Sequence, residues 1–347
     1  MFMNLKNSKL KIIFCASQLD IPTTITLAGQ SKNNFIIITD TITIFNFLKR
    51  NYPKSKIIYF LPPKKIFYLN FFLLFKNLWF NLNLNKNIQK LLNSYSNGEV
   101  FFTFDCYAHQ LAYAVKILSK KNRVYFIYKY KHLFLYKIKF SFRGFVNKVY
   151  LKVIYGIDSY IVDGVSIKYL LLFSRSFFDE ISAKKILINI NNKFLKKTQK
   201  KYLTDKKRNI LLLSMYSEIL WNILDKEKLN LFLKELLFHT KKKDVYFKRK
   251  NLIDKKLPIE KLFFEVPYYI PANICMYNFN VIVGYGSATL FEAANSDIKA
   301  ISLIDILKTK ETMAASHLYK KFLLKNLDKN KKIYFPVSMN EFVKTLR

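Results

Sequence analysis

Short apolar runs alternate with helix-like segments along most of the chain, and this alternation constrains the fold more than any other feature. Runs such as residues 35–39 (FIIIT) and 56–61 (KIIYFL) are almost continuously apolar, as strands buried on both faces of a parallel sheet are. Neighbouring parallel strands need a crossover connection, usually a helix, so the alternation predicts an α/β fold with doubly wound parallel sheets. The predicted strands are residues 11–16, 35–39, 56–61, 99–103, 123–128, 159–162, 185–190, 209–214, 244–247, 262–266, 281–284 and 299–303.

The alternation is interrupted once, at residues 193–208 (KFLKKTQKKYLTDKKR), which are polar, highly charged and poor in core residues. Such a stretch is typical of a linker between domains. A length of 347 residues allows about two domains at about 150 residues each. We therefore predict two Rossmann-like domains that face a cleft, an N-terminal domain of residues 1–195 and a C-terminal domain of residues 205–347.

The chain is strongly basic, with 59 Lys and Arg against 23 Asp and Glu and a net charge of +36. This charge predicts an anionic partner. Hydrophobic residues make up 51% of the chain and aromatic residues 17%, which excludes a disordered basic tail because such tails lack the residues for a core. The excess of Lys, Asn, Ile, Phe and Tyr is also typical of an AT-rich genome, so local patterns carry more weight than the total charge.

The compartment is predicted from the cysteines and the N-terminus. Cys15, Cys106 and Cys275 are too few and too dispersed for a disulfide framework or a tetrahedral zinc site, so a reducing compartment is expected. The apolar run after the basic N-terminus covers only residues 12–16, shorter than the core of about 7–15 residues in a signal peptide. We expect a cytoplasmic protein.

Residues 65–82 (KIFYLNFFLLFKNLWFNL) form the most apolar segment, but a lysine and asparagines interrupt it, so it is too polar to span a membrane. Its aromatic residues with flanking lysines fit an interfacial helix on an anionic leaflet. That interpretation predicts a peripheral protein on the inner face of the cytoplasmic membrane. The alternative is a helix packed on the N-terminal sheet, and the sequence leaves both open.

The most informative window is residues 278–304 (NFNVIVGYGSATLFEAANSDIKAISLI), in which a buried strand runs into the turn GYGS (residues 284–287) and then a helix. Glycines let a backbone approach a ligand closely, and the hydroxyls of Ser287 and Thr289 with the N–H groups of the helix start predict a phosphate site. Open α/β sheets also bind ligands at the carboxyl ends of strands. The alternative is capping, because Thr289 and Glu292 fit a capping box and Ser287 is itself a good cap residue.

The order of segments over residues 257–303 resembles the C-terminal half of bacterial GT-B sialyltransferases, the lipooligosaccharide sialyltransferase and polysialyltransferase group. In both, a short helix after an extended Ile-Pro segment precedes a strand that ends in a Gly/Ser-rich turn. Outside this last third, the N-terminal half resembles GT-B enzymes only in architecture. The resemblance implies transfer of sialic acid from CMP-sialic acid, bound in the C-terminal domain, to a lipooligosaccharide or capsule acceptor in the N-terminal domain. It implies donor contacts at Gly286, Ser287, Ala288, Thr289, Pro271, Ala272 and Asn273.

The sequence departs from this family at two motifs. The family has a His-Pro pair whose His acts on the donor phosphate, and this chain has none; the corresponding strand runs into Lys248 and Arg249, which we expect to supply positive charge to the phosphate instead. The family also has an acidic stretch that provides the general base, and here residues 129–132 (KYKH) follow the matching strand. The resemblance therefore leaves the base unassigned.

Two residues are candidate bases by their own position. Asp105 follows a buried strand and precedes a helix, so its carboxylate would face the cleft; the alternative is a helix N-cap. His132 lies just past the next strand, and an unperturbed pKa of about 6.5 suits a base; the alternative is a solvated surface histidine. Ser17 and Asp20 lie in another cleft-facing loop, where acceptor contact and ordinary turn chemistry both explain them.

Missing motifs narrow the chemistry. Without an Asp-x-Asp motif a metal-dependent GT-A enzyme is disfavoured, so we expect no metal and no cofactor besides the nucleotide-sugar substrate. Without a Walker loop or a GxGxxG motif, ATP and NAD chemistry lose support. Two alternatives remain: a GT-B transferase with a UDP- or CDP-linked donor, and a non-catalytic basic protein that binds nucleic acid or an anionic membrane. The lysines are spread over both halves, so no nucleic-acid partner is expected.

Overall fold

The computed structural model describes residues 9–31, 33–61, 71–103, 109–127, 184–186, 188, 192–202, 208–216, 223–240, 244–249, 256–309 and 312–346. The described chain divides into two compact units, with the boundary between Thr198 and Gln199. Each unit has its own sheet.

The N-terminal unit is built on a parallel sheet. Its strands are β1 (Lys11–Phe14), β2 (Phe35–Thr39), β3 (Lys56–Tyr59), β4 (Glu99–Thr103), β5 (Arg123–Ile127) and β6 (Lys184–Ile186). They lie in the order β3-β2-β1-β4-β5-β6, and β1 and β2 are buried along their whole length, as their continuous apolar runs predict. Its described helices are α1 (Ile21–Gln30), α2 (Ile42–Asn51), α3 (Phe71–Leu92), α4 (His109–Ser119) and α5 (Asn192–Gln199).

The C-terminal unit repeats this plan. Its strands are β7 (Arg208–Leu213), β8 (Val245–Lys248), β9 (Phe264–Glu265), β10 (Phe279–Gly284), β11 (Lys299–Ser302) and β12 (Ile333–Tyr334). Its described helices are α6 (Lys226–His239), α7 (Ala272–Cys275), α8 (Thr289–Asn295), α9 (Ile304–Leu307), α10 (Met313–Lys325) and α11 (Met339–Leu346). Asp225 caps helix α6, because its carboxylate accepts hydrogen bonds from the backbone N–H groups of Glu227 and Lys228.

The two sheets have the same topology. In each, the chain lays three parallel strands outward from the centre and then three in the other direction, giving β12-β11-β10-β7-β8-β9 in the second sheet. The predicted α/β fold class with two Rossmann-like units is therefore confirmed. The strand order reverses between β1 and β4 in one sheet and between β7 and β10 in the other. Open α/β sheets bind ligands at this switch point, beyond the carboxyl ends of the strands.

The segment predicted as a linker, residues 193–208, begins with a helix instead. Helix α5 covers Asn192–Gln199, and its Leu195 and Thr198 are buried. Gly29 on α1 makes room for Phe194, since a Cβ atom there would lie 2.5 Å from the Phe194 ring. The boundary between the two units lies within the predicted linker, but its first residues form a docked helix, because one apolar pair within a charged stretch is enough to dock a short helix. The predicted strand at residues 159–162 lies outside the described residues.

Helix α3 contains the described part of the apolar segment 65–82 and has two different halves. Its C-terminal half, which lies beyond that segment, packs on the unit, since Ile88 and Leu92 lie in the core beneath α4. Its N-terminal half exposes aromatic rings, with Phe75 58% and Trp79 67% exposed. The buried side chains one turn apart on the other side are polar: Asn77, Asn81 and Asn85. Of the helices in the described ranges, none is both long enough and apolar enough to cross a bilayer.

Candidate functional site

The predicted phosphate turn lies at the switch point of the C-terminal sheet. Strand β10 pairs in parallel with β7, with Val283 opposite Leu212, so residues 284–287 and Ser214 follow neighbouring strands at the same edge. Ser214 was not singled out from the sequence. A serine directly after the apolar run ILLL is a usable signal only once the strand order is known, because the two strands are far apart in the chain.

Tyr285 anchors the turn from below. It is 1% exposed, its hydroxyl hydrogen-bonds the hydroxyl of Ser316 at 2.7 Å, and its carbonyl accepts a hydrogen bond from the hydroxyl of Ser302 at 2.7 Å. The carbonyl of Gly284 accepts from the backbone N–H of Leu303 at 2.8 Å. These bonds tie the turn to β11 and α10, so its backbone is held in one conformation.

Gly286 is required by a close neighbour. The ring of Tyr319 packs edge-on against Tyr285, with the ring centroids 6.0 Å apart, and passes directly over Gly286. A Cβ atom at Gly286 would lie 2.5 Å from Cδ1 of Tyr319, so only glycine fits without a shift of the ring. Residues 284–286 are buried, whereas the next residues, Ser287 and Ala288, are only half-buried.

Ser287 caps the helix that follows. Its hydroxyl accepts a hydrogen bond from the backbone N–H of Thr289 at 3.3 Å, and its carbonyl accepts from that of Leu290 at 3.0 Å. Helix α8 begins at Thr289 with Ala288 as its N-cap, so the predicted capping box of Thr289 and Glu292 is wrong. Thr289 is already inside the helix and buried, and the capping hydroxyl comes from two residues earlier.

Pro271, Ala272 and Asn273 lie at the start of helix α7, which packs against α8. All three are buried. The carbonyl of Pro271 accepts from the backbone N–H groups of Ile274 and Cys275. The structure thus brings these residues next to the helix of the Gly/Ser turn, and their contact with a nucleotide stays a prediction.

Lys248 and Arg249 end strand β8, and their side chains are engaged within the unit. The Lys248 amine is 2% exposed and donates to the carbonyls of Arg249 at 2.6 Å and Tyr268 at 3.1 Å. Arg249 and Lys256 both form ion pairs with Glu265. Although burial raises the pKa of the Glu265 carboxyl, hydrogen bonds from Lys256 and Arg249 hold it below the ordinary value. Their predicted role at the donor phosphate stays a prediction.

Asp20 organises the switch point of the N-terminal sheet. It is 1% exposed, and one oxygen accepts from the backbone N–H groups of Ala16 at 2.9 Å and Ser17 at 2.8 Å. The other oxygen accepts from the hydroxyl of Thr103 at 2.8 Å. Asp20 therefore joins the loop after β1 to the end of β4. This geometry supports the turn-chemistry alternative for Ser17 and Asp20.

Asp40, at the carboxyl end of β2, is a candidate that the sequence analysis missed. It is half-buried, and the hydroxyl of Thr41 donates to its Oδ1 at 3.3 Å. Burial raises its pKa to about 6; the charge of Asp20 acts in the same direction, and hydrogen bonds from its own backbone and from Thr41 act against it. An aspartate directly after a buried strand was a usable signal. The two bases proposed from the sequence, Asp105 and His132, lie outside the described residues.

No family model matches the sequence, and no curated protein matches it. Several solved glycosyltransferase structures match this chain at low identity. The kitacinnamycin glycotransferase has a TM-score of 0.44 at 7% identity, covering 98% of this chain and 90% of its own. MurG of Acinetobacter baumannii has a TM-score of 0.40 at 11% identity (97% and 89%), and SnogD of Streptomyces nogalater 0.37 at 9% (97% and 99%). At TM-scores below 0.5 the similarity carries no inference about binding or activity.

Proposed function

We propose that this protein is a glycosyltransferase that moves a sugar from a nucleotide-activated donor to an acceptor hydroxyl. Such a reaction needs a site that stabilises the leaving phosphate and a group that takes the proton of the attacking hydroxyl. Support for the first comes from the Gly/Ser turn at the switch point of the C-terminal sheet. Support for the proton-accepting group comes from the carboxylates at the carboxyl ends of the strands in the N-terminal sheet.

The observation that carries the proposal is the state of Ser287. Its hydroxyl accepts from the N–H of Thr289, and its own proton has no acceptor among the residues described. It is only half-buried, so an anion can reach that proton. Phosphate oxygens are strong acceptors, and a hydrogen bond to a charged group contributes about 1.5–3 kcal/mol. Ser214, at the end of the neighbouring strand, adds a second hydroxyl at this edge.

Positive charge after β8 supports the same site. Arg249, Lys256 and Glu265 together carry one net positive charge, and the Lys248 amine lies beneath the same strand end. A leaving phosphate can be stabilised by basic groups and oriented hydrogen-bond donors without a metal ion. We propose that these groups raise the affinity for the donor phosphate from a distance, since their hydrogen-bonding capacity is used within the unit.

The donor that we propose is CMP-sialic acid, and the acceptor a cell-surface glycan of the lipooligosaccharide or capsule type. This finer assignment rests on the resemblance of residues 257–303 to the bacterial GT-B sialyltransferases. A UDP- or CDP-linked sugar is the alternative, because a phosphate site does not identify the base of the nucleotide.

Incubation of the purified protein with CMP-sialic acid and a lactose-terminated acceptor tests this assignment, with UDP- and CDP-linked sugars in parallel. The expected result is release of CMP that depends on the acceptor, together with a sialylated product. Release from a UDP- or CDP-linked sugar alone would keep the transferase and replace the donor. Consumption of none of the donors, with or without acceptor, would exclude the proposed activity.

The phosphate placement has its own test in two variants of one side chain. Ser287→Ala removes the hydroxyl, and Ser287→Thr keeps it. We expect calorimetry to show binding of the donor's nucleotide weakened about 10- to 100-fold in the alanine variant, and nearly unchanged in the threonine variant. Equal affinity in all three proteins would mean that the phosphate binds elsewhere.

We also propose that the N-terminal half of α3 rests on an anionic membrane surface, which would bring the enzyme to a lipid-borne acceptor. Phe75 and Trp79 are one helical turn apart and mostly exposed, while the buried positions beside them are asparagines. Exposed lysines accompany them at Lys76, Lys86 and Lys90. Aromatic rings next to basic side chains favour the interface of anionic bilayers.

Sedimentation with vesicles tests this surface. The protein is expected to bind vesicles of phosphatidylglycerol and phosphatidylcholine, and to bind those of phosphatidylcholine alone weakly. Trp79→Ser should reduce binding several-fold, whereas Phe238→Ser, at an aromatic residue 84% exposed in the other unit, should leave it unchanged. Equal loss in both variants would show that exposed aromatic area in general, and not α3, causes the binding.

A further inference from the structure

Asp20 and Asp40 are two carboxylates at one edge of the N-terminal sheet, and their environments differ. Asp20 is 1% exposed, and its oxygens accept hydrogen bonds from Ala16, Ser17 and Thr103. Asp40 is half-buried, and its described hydrogen bond from another side chain is the longer one from the Thr41 hydroxyl. When two nearby carboxyl groups differ in this way in burial and hydrogen bonding, they suit different roles, here a structural one for Asp20 and a chemical one for Asp40.

The charges that face Asp40 come from the strands on both sides. On the β1 side lies Asp20, whose negative charge raises the pKa of Asp40. On the β3 side lies Tyr59, opposite Thr39 in the register, and its own pKa is raised by burial and then by the charge of Asp40. The causes of the raised pKa of Asp40 include no cation among the described residues. A carboxyl group in this setting is ionised at neutral pH and is still a much stronger base than an ordinary aspartate.

The same edge concentrates polar groups. Thr39, Thr41 and Thr103 end or follow the central strands. The helices that follow β1, β2 and β4 each have, in the first turn or two, a buried polar side chain with no hydrogen-bond partner in the described part of the chain: Thr24, Thr43 and Gln110. Leaving such a group unpaired costs about 1–3 kcal/mol, so each of the three calls for an explanation such as a bound water or a polar ligand.

We propose that Asp40 is the general base that takes the proton from the acceptor hydroxyl, and that the edge formed by β1, β2 and β3 binds the acceptor. The inference rests on the proposed transferase function. In the step, the acceptor O–H proton passes to the Asp40 carboxylate while the acceptor oxygen forms a bond to the anomeric carbon of the donor sugar. The bond from that carbon to the phosphate oxygen breaks, and its electron pair leaves with the nucleotide.

Asp40→Asn tests this role, because it keeps the size and removes the base. We expect kcat to fall about 10²- to 10⁴-fold while the affinity for the donor's nucleotide changes less than twofold. The wild-type profile of kcat/KM should fall on the acid side with an apparent pKa of about 6, and this limb should be absent in the variant. Formate should restore part of the rate in Asp40→Ala, which a merely structural role would not allow.

Asp105→Asn and His132→Gln are measured in parallel, since both are alternative bases. Loss of the acid limb in either of them, with the limb intact in Asp40→Asn, would overturn the assignment. If the wild type transfers sugar and Asp40→Asn is equally active, Asp40 is not the base, although the proposed transferase function stands. A wild-type protein that consumes no donor would overturn the proposed function and the base together. Circular dichroism and nucleotide binding verify that each variant is folded.

Discussion

The hydroxyl of Thr103 donates a hydrogen bond of 2.8 Å to the carboxylate of Asp20, 83 positions away in the chain. The bond connects the end of β4 to the loop after β1, the two strands between which the order of the N-terminal sheet reverses. Asp20 also holds the backbone N–H groups of that loop. A structural carboxylate thus fixes the geometry next to Asp40.

Thr103→Val is expected to destabilise the protein by about 1.5–3 kcal/mol, because it removes a hydrogen-bond donor from a buried carboxylate. Thr103→Ser keeps the hydroxyl and serves as the matched control, with a loss of about 1 kcal/mol or less for the missing methyl group. Urea denaturation of both variants measures the difference. Equal stability of the valine and serine variants would show that the hydrogen bond contributes nothing.

Asp40→Asn is expected to stabilise the protein at pH 8. The pKa of this carboxyl rises from 3.8 in the unfolded chain to about 6 in the folded one, so between these values the folded chain holds a proton that the unfolded chain has lost. The free energy of unfolding therefore falls as pH rises, and the loss is complete above pH 6, at about 2–3 kcal/mol. Asparagine removes this penalty, so the gain should be present at pH 8 and vanish near pH 4.

Chemical denaturation of the wild type and Asp40→Asn at both pH values checks this sign. A gain in stability combined with a loss of rate is the behaviour of a residue kept for chemistry at a cost in stability. A variant that is less stable than the wild type at pH 8 would contradict the burial of an ionised carboxylate at this position.

Gly286→Ala is expected to cost about 1–3 kcal/mol and to weaken nucleotide binding, because the added Cβ atom meets the Tyr319 ring at 2.5 Å. Tyr319→Ala makes room for it. In a double-mutant cycle the alanine at 286 should therefore cost much less when residue 319 is alanine. Additive costs would mean that the clash is relieved elsewhere, and the account of Gly286 would be wrong.

Lys248→Met is expected to lower stability by about 2–4 kcal/mol, because the buried amine donates to the carbonyls of Arg249 and Tyr268 and both would lose their donor. Lys228→Met is the matched control, since that amine donates to one carbonyl, that of Lys308, at a less buried position. Thermal unfolding compares the two variants. Equal losses would show that burial of the Lys248 amine adds nothing.

The sheets were predictable because their strands carry the strongest pattern in the chain. Residues 35–38 are apolar throughout, and β2 covers Phe35–Thr39, the bounds predicted for this strand. The helix at residues 192–199 was not predictable from composition, because Phe194 and Leu195 are its few apolar residues and their partner, Gly29, is distant in sequence. When most residues of a short helix are charged or polar, its composition does not indicate that it packs on the unit.

The site was predictable only in part. The turn of residues 284–287 follows an apolar run and precedes a helix within one short stretch of sequence, so the sequence was sufficient to find it. Asp40 and Ser214 can be recognised as site candidates only when the strand order is known. That order places the end of β2 beside β1 and the end of β7 beside β10. The inversion of α3, with asparagines buried and Trp79 exposed, also depends on which side of the helix the unit covers. A single sequence does not specify these long-range contacts.

A crystal structure of the protein with the nucleotide of its donor would test directly whether the donor phosphate binds at Gly286 and Ser287. We predict that the phosphate lies beyond the carboxyl end of β10, with one of its oxygens within about 3 Å of the Ser287 hydroxyl. CMP in that position would support the sialic acid donor, and a uridine or cytidine diphosphate would keep the site and change the donor. A nucleotide bound away from Gly286 and Ser287 would contradict the account.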